Sequence, residues 1–218
     1  MRQMKKTAAG NPPPAAENPM CDRIISAAFT AFMELGYTGT SMLEIATRAK
    51  ISKRDLYANF PSKQAVLLAC IATRAARMRL PPDLPLPSDC QMLGATLETF
   101  GATVIREVSQ PAVMAMFRLA IAEAARSPEV AETLNNSRSV NRGAFVGLFA
   151  HAQAKGVLGP GDPEQMMEQF FALLWGDFML SRLLCVSAPP KPAEIGGRVH
   201  AATEAFLKLY GKPTEDAL

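Results

Sequence analysis

Histidine is almost absent from this chain: His151 and His200 are the only two among 218 residues. They fall on separate predicted helices, and neither an HExxH run, a GxSxG elbow nor a phosphate-cradling glycine motif accompanies them. Without a metal-ligand set or an acid–base–nucleophile constellation, the chain reads as a non-enzyme that needs no cofactor. Cysteine is scarce too. Cys21, Cys70, Cys90 and Cys185 lie far apart with no CxxC pair. That excludes a zinc ribbon and argues for reduced thiols in a cytoplasmic protein over a disulfide framework. Long hydrophobic runs are missing as well. The most apolar stretch, Phe170 to Val186, is interrupted by Asp177 and Arg182 and is short for a membrane span. Alternating strand patterns and tandem repeats are absent, so the expected fold class is all-α.

What the chain does have is a division of charge. Residues 1–80 carry 12 Lys and Arg against 5 Asp and Glu, a net +7, whereas residues 81–218 carry 11 against 15, a net −4. A basic head on an acidic body suggests that only the head meets a polyanion. Residues 1–19, with three prolines in succession and no apolar periodicity, are expected to form a disordered tail.

The head is expected over residues 20–68. Ile24, Ile25, Ala28, Phe29, Phe32 and Leu35 recur at helical spacing, predicting a helix over about 21–35 with Gly36 as its terminator. Ser41 with Glu44 has the spacing of a capping box and starts a second helix over 42–49, which buries Leu43 or Met42 with Ile45, Ala46 and Ala49. Ser52 with Asp55 repeats the device and starts a third at Lys53, ended by Pro61. Ser62 then caps a fourth helix that runs on to about Leu80 and connects the head to the rest of the chain. Beyond the PPDLPLP segment, further helices are predicted near 89–109, 111–126, 128–155, 163–186 and 192–210, about nine in all, with a regulatory and dimerisation domain over 81–212.

Two short helices with a three-to-four-residue connection form a helix-turn-helix, whose second helix enters the DNA major groove. Leu56 and Phe60 are the inward anchors of that helix. Its outward residues are Lys53, Arg54, Tyr57, Ala58 and Asn59, suited to phosphates and base edges. Lys63 in the first turn of the fourth helix adds a cation to N–H groups that favour phosphate, and Thr40 and Ser41 are placed to do the same at the second helix.

The run AAFTAFMELGYTGTSMLEIATRAKISKRDLYANFPSKQAVL resembles the DNA-binding head of the TetR family of transcriptional regulators. The resemblance is carried by Gly36-Tyr37, Thr40-Ser41, Ile45-Ala46, Ile51-Ser52 and LYANFPSK. It implies that Tyr57 and Lys63 contact the DNA backbone and that Lys53 and Arg54 reach the groove; Thr40, Ser41, Ser52 and Asn59 are expected on the same surface from their own positions at the helix starts and on the recognition helix. Many members carry a small residue where this chain has Arg54, a departure that points to an altered operator preference. FRLAIAEAARSPEVAETL and AKGVLGPGDPEQMMEQFFALLWGD resemble the C-terminal domain of the AefR-like branch, which implies a dimerising body around an effector pocket.

For a small apolar or amphipathic effector, the expected lining is Met114, Phe117, Ile121, Phe145, Phe149, Phe171, Trp175 and Met179, a set that ordinary core packing would also produce. Arg118 and Glu123 read as members of structural ion pairs, and Asp177 as a polar ligand contact. Apolar residues on nearly all sides of 163–186, with Ala202, Ala205, Phe206 and Leu209 on the last helix, predict a homodimer interface built from these two segments. The function expected is a ligand-responsive repressor on a palindromic double-stranded operator. Two rivals stand beside it. A helical interaction or ligand-binding protein that has lost DNA reading would lack Lys63, Tyr57 and the basic recognition face, which this chain has. An all-helical enzyme would need clustered catalytic residues.

Overall fold

A computed structural model describes residues 18–81, 83–125 and 128–212. Among them are ten helices and no strand, only an isolated bridge between Leu158 and Gly211. The tail expected over 1–19 lies outside the described residues up to position 17. The described residues up to Leu67 form one compact unit and those from Leu68 a second.

In the first unit, α1 spans Pro19–Gly39, with Asn18 accepting from the N–H of Met20 and proline in the first turn. Its regular geometry stops where the sequence indicated. Gly36 sits at φ +71°, ψ 171°, a conformation an L side chain resists, and one further turn carries the chain to Thr40. Helix α2 (Met42–Ala49) buries Ile45, Ala46 and Ala49, while Leu43 points outward and Met42 is half-buried. Helix α3 spans Lys53–Asn59 and α4 spans Lys63–Ala76, capped by Ser62, whose hydroxyl accepts from the N–H of Ala65.

The boundary between the units falls inside α4, which is shorter than the 62–80 expected. From Arg77 to Arg79 the N–H groups reach back three residues, to Arg74, Ala75 and Ala76. Asn141 takes the Met78 carbonyl at 2.8 Å, and Pro81 bars helical geometry for Leu80.

The second unit holds α5 (Cys90–Ser109), α6 (Pro111–Ala124), α7 (Pro128–Ala154), α8 (Pro163–Trp175), α9 (Phe178–Leu183) and α10 (Pro192–Tyr210). Its core is aromatic. Phe145 packs on Phe100 at 4.6 Å and on Phe149 and Phe170 at 5.8 Å, and Phe206 closes the cluster at 4.8 Å from Phe149. Gly101 permits the approach of α5 to α10 and α8: a Cβ there would lie 2.9 Å from Val199 and 3.3 Å from Leu174.

The continuous helix expected over 163–186 is corrected to two. Gly176, at φ +43° and ψ −128°, breaks it, and Arg198 Nη1 reaches the carbonyls of Leu174 (3.3 Å) and Trp175 (3.4 Å) that the break exposes. At the far end Arg118 donates to the carbonyls of Leu183 and Arg182, both at 2.8 Å, and Arg182 donates to that of Ser187. Arg118 therefore serves helix-end carbonyls rather than the carboxylate partner expected of it. The break also sorts the apolar residues: Phe170, Leu174 and Phe178 are buried, whereas Leu173, Leu180 and Leu184 are exposed. On α10, Ala202 and Phe206 face the core, leaving Leu209 of the expected interface set exposed and Ala205 half-buried.

Candidate nucleic-acid interface

Helices α2 and α3 are joined by Lys50, Ile51 and Ser52. The turn closes because Lys50 takes a left-handed conformation (φ +53°, ψ 50°), with its N–H on the α2 carbonyls, and because Ile51 N–H bonds Ala46 O at 3.1 Å. Sequence reasoning alone misses Lys50. The available signal is a turn without glycine, in which a residue of AKIS has to adopt φ above zero, and this one sets an exposed cation beside the recognition helix.

Ser52 caps α3: its hydroxyl accepts from Asp55 N–H at 3.0 Å and donates to the Asp55 carboxylate at 2.6 Å. Asp55 is thereby occupied with the helix end. Leu56, with no exposed surface, anchors α3, and Phe60 is half-buried. On the other side Lys53, Arg54, Tyr57 and Ala58 are exposed, Tyr57 by 45%. Those four residues and Lys50 form one outward surface carrying three cations.

Besides Ser52, four of the expected contact residues have other engagements. Thr40 is 1% exposed, and its hydroxyl donates to the carbonyls of Ala31 (3.1 Å) and Gly36 (2.7 Å), which makes it a latch on the end of α1 with no exposed hydroxyl for phosphate. Ser41 is exposed and accepts from Glu44 N–H at 3.0 Å. The capping box expected there is only half made, because the Glu44 carboxylate turns to Arg48 at 2.6 Å. Asn59 bonds Asp55 O at 2.8 Å and accepts from the Cys21 thiol at 3.3 Å, pinning the end of α3 to the start of α1. Lys63 places its ammonium on Tyr37 O (2.7 Å) and Thr40 O (2.8 Å), 4.4 Å from the centre of the Tyr37 ring.

Arg48, which is neither a cap nor one of the expected contact residues, ties α2 to α1. It pairs with Glu44 on its own helix and with Glu34 at 2.5 Å, and the hydrogen bonds it donates, to Glu44 first and Glu34 second, hold its pKa above the ordinary value. The Glu44–Arg48 spacing of four is the signal that points to it.

The expected effector-lining residues are not gathered around one space. Met114, Phe145 and Phe149 are wholly buried in close-packed core, and Ile121 is 55% exposed. Phe171, Trp175 and Met179 are partly buried against that core. Phe117 lines a cavity of about 30 Å³ together with Ile71, Arg74, Met78, Met116 and Leu134.

Comparison with known proteins agrees with this geometry. Residues 24–70 match the family model for bacterial regulatory proteins of the tetR family, and residues 95–212 match that for the C-terminal domain of AefR-like transcriptional repressors. A TetR-family transcriptional regulator from Mesorhizobium loti MAFF303099 shares the fold with a TM-score of 0.76 at 26% identity, over 89% of this chain and 98% of that one. The flavonoid-responsive regulator FrrA matches with a TM-score of 0.70 at 28% identity, over 90% and 99% of the two chains. An uncharacterized HTH-type transcriptional regulator of Bacillus subtilis (strain 168), YuxN, is 48% identical over 48 residues, which make up 22% of this chain and 16% of that relative. The match therefore spans only a small part of the relative's length.

Proposed function

The chain belongs to the TetR family of transcriptional regulators, DNA-binding proteins and not enzymes, and from that premise we propose a ligand-responsive repressor. It acts in the cytoplasm as a homodimer on a palindromic operator and is released by a small apolar or amphipathic effector. The observation that carries the reading is α3: a helix anchored by buried Leu56 that turns Lys53, Arg54 and Tyr57 outward beside Lys50. We assign Lys53, Arg54 and Tyr57 to phosphates and base edges, and Ser41 and Ser52, at exposed helix starts, to phosphates through their backbone N–H groups. Thr40, Asn59 and Lys63 hold the three elements in register for that contact.

DNA reading is placed in residues 20–68 and regulation in 81–212, with α4 as the connection. Repression is favoured by the match of residues 95–212 to AefR-like repressors, and effector response by the likeness to FrrA, a flavonoid-responsive regulator. The cavity beside Phe117 is the proposed entry point. At about 30 Å³ it is close to the space one water needs, so an effector has to open it, and Met78 and Met116 are side chains that rearrange at low cost. Ile71 and Arg74 on its wall belong to α4, so a ligand that spreads the cavity acts on the helix that also carries Lys63. A ligand that favours a conformation in which the two recognition helices of a dimer no longer stand about 34–36 Å apart shifts the population off DNA.

The test is a fluorescence-anisotropy titration with the DNA upstream of the protein's own gene and with scrambled DNA, at two salt concentrations. Sequence-selective binding with steep salt dependence is the expected result. Equal weak binding to fragments selected genome-wide would remove the operator reading.

A further inference from the structure

Helix α2 ends on a residue in the left-handed region. Lys50, at φ +53° and ψ 50°, is one of two non-glycine residues at positive φ among the described residues. A side chain with a Cβ resists that conformation, whereas glycine accepts it freely and asparagine with little loss. Where α1 breaks at Gly36 and α8 ends at Gly176, the chain does place glycine at positive φ. The turn after α2 is closed by backbone bonds, Lys50 N–H to Thr47 O at 3.2 Å and Ile51 N–H to Ala46 O at 3.1 Å. Glycine would close it as well, so the turn gives no reason for a lysine.

The rest of the head gives none either. Lys50 is exposed, and no hydrogen bond or ion pair holds its ammonium among the described residues. The carboxylates on the elements around it are occupied: Glu34 and Glu44 by Arg48, at 2.5 and 2.6 Å, and Asp55 by the Ser52 hydroxyl at 2.6 Å. Arg48 and Lys63, by contrast, have their charge committed inside the head. Lys50 keeps its charge for something outside.

We propose that Lys50 is a phosphate anchor that sets the register of α3 on the duplex. The inference adds a residue to the contact set assigned above and rests on that assignment of α3 to the groove. Lys50 lies ahead of the Ser52 cap, outside the helix that reaches base edges, and its ammonium is a compact point charge suited to phosphate. Its root is rigid, because backbone bonds close the turn between α2 and the residues that lead into α3. Holding one phosphate from that point fixes how far α3 sits along the groove. A strained residue kept at a contact gives up stability for affinity.

Lys50→Gly and Lys50→Asn both suit a left-handed position and remove the cation. Each is tested in the full-length protein by thermal melt and by anisotropy titration. The two probes are the fragment that the wild type selects most strongly from its genome and a scrambled duplex of equal length. The melt is expected at or above the wild-type midpoint. Binding to both duplexes should fall about tenfold at low salt, as for one lost charge-assisted bond. The salt slope should fall by about one for each head bound, and Lys50→Arg should restore it. Neutralising the selected fragment one phosphate at a time, as methylphosphonate, locates the contact. At one position in each half-site the wild type should weaken to the level of Lys50→Gly, and the variant should lose little more. An unchanged salt slope in Lys50→Gly would overturn the proposal. So would a lowered melt in both variants, which would make the lysine a stabilising part of the turn, or losses that add at every phosphate. Wild-type protein that binds neither duplex in a salt-dependent way would remove the DNA-reading surface itself, and this anchor with it.

Discussion

At the scale of single residues, two side chains that look alike on paper as phosphate ligands do different work. The Thr40 hydroxyl is spent on Ala31 O and Gly36 O inside the head. Thr40→Val keeps the shape and removes both bonds, so unfolding should become easier by about 1–2 kcal/mol, while the salt slope of operator binding stays as in the wild type. A slope reduced by one phosphate in that variant would return Thr40 to the interface. Lys63 is less simple. An ammonium has three donors, and two are committed to Tyr37 O and Thr40 O. Lys63→Ala should therefore lower head stability by about 1.5–3 kcal/mol and weaken binding to operator and scrambled DNA alike. The salt slope then decides what the third donor does: a fall of about one assigns it to a phosphate, and an unchanged slope leaves Lys63 as a clamp alone. Both side chains sit where a sequence motif puts DNA contacts. The motif reports position along the chain, whereas the partner depends on which carbonyls the turn at Gly36 presents, and that is a tertiary fact.

At the scale of elements, periodicity and caps place α1 to α3, α5 and α7 close to their observed ends, because apolar spacing, Ser41, Ser52, Gly36 and Pro61 are local signals. The break between α8 and α9 is hidden for a physical reason. A run apolar on nearly every side keeps helical periodicity even across a kink, and one glycine inside it is ordinary. The carbonyls of Leu174 and Trp175 that the opening at Gly176 frees find their partner in the Arg198 side chain, 22 positions further on, which no local signal announces. Gly176→Ala places a Cβ at φ +43°, and the added atom has room, since its nearest neighbour would be Arg198 Nη1 at 3.7 Å. The cost is then conformational, about 1–3 kcal/mol, read by chemical denaturation. A neutral or stabilising result would mean that α8 and α9 prefer to fuse. Helices α5 and α10 share a pH-sensitive tie. His200 Nδ1 lies 2.8 Å from Glu98, whose hydrogen bond and charge raise the imidazole above its ordinary 6.5. A raised folded-state pKa gives stability that is full below 6.5 and is lost as pH rises through the higher folded value. The effect should be small because both groups are exposed. His200→Gln should remove this contribution to the pH dependence of the denaturation midpoint and leave the rest of the profile unchanged.

For the whole molecule, a single head offers too little contact to read an operator, and members of this family act as dimers. The sequence reading assigns pairing to 163–186 and 192–210, and the residues that these segments turn outward in the second unit form the proposed surface. Breaking the helix at Gly176 turns Leu173, Leu180 and Leu184 outward, at 37%, 56% and 63% exposure, while Ala202 and Phe206 turn into the core. On α10 the outward positions include Ala193, Gly196, Gly197 and Ala201, small residues over which a partner's leucines can pack closely. Burying Leu180 and Leu184 in a two-fold interface gains about 1.5–3 kcal/mol for each side chain, and the symmetry repeats that gain on the partner. Leu180→Glu places a carboxylate at that contact and, by the same two-fold axis, a second one in the same region. Sedimentation velocity should then show a monomer at concentrations where the wild type is a dimer. Operator affinity should fall steeply, because only one half-site can be held at a time, while weak non-specific binding by the intact head persists. If the variant remains dimeric, pairing runs through another face, and the exposed leucines of α9 need a different explanation.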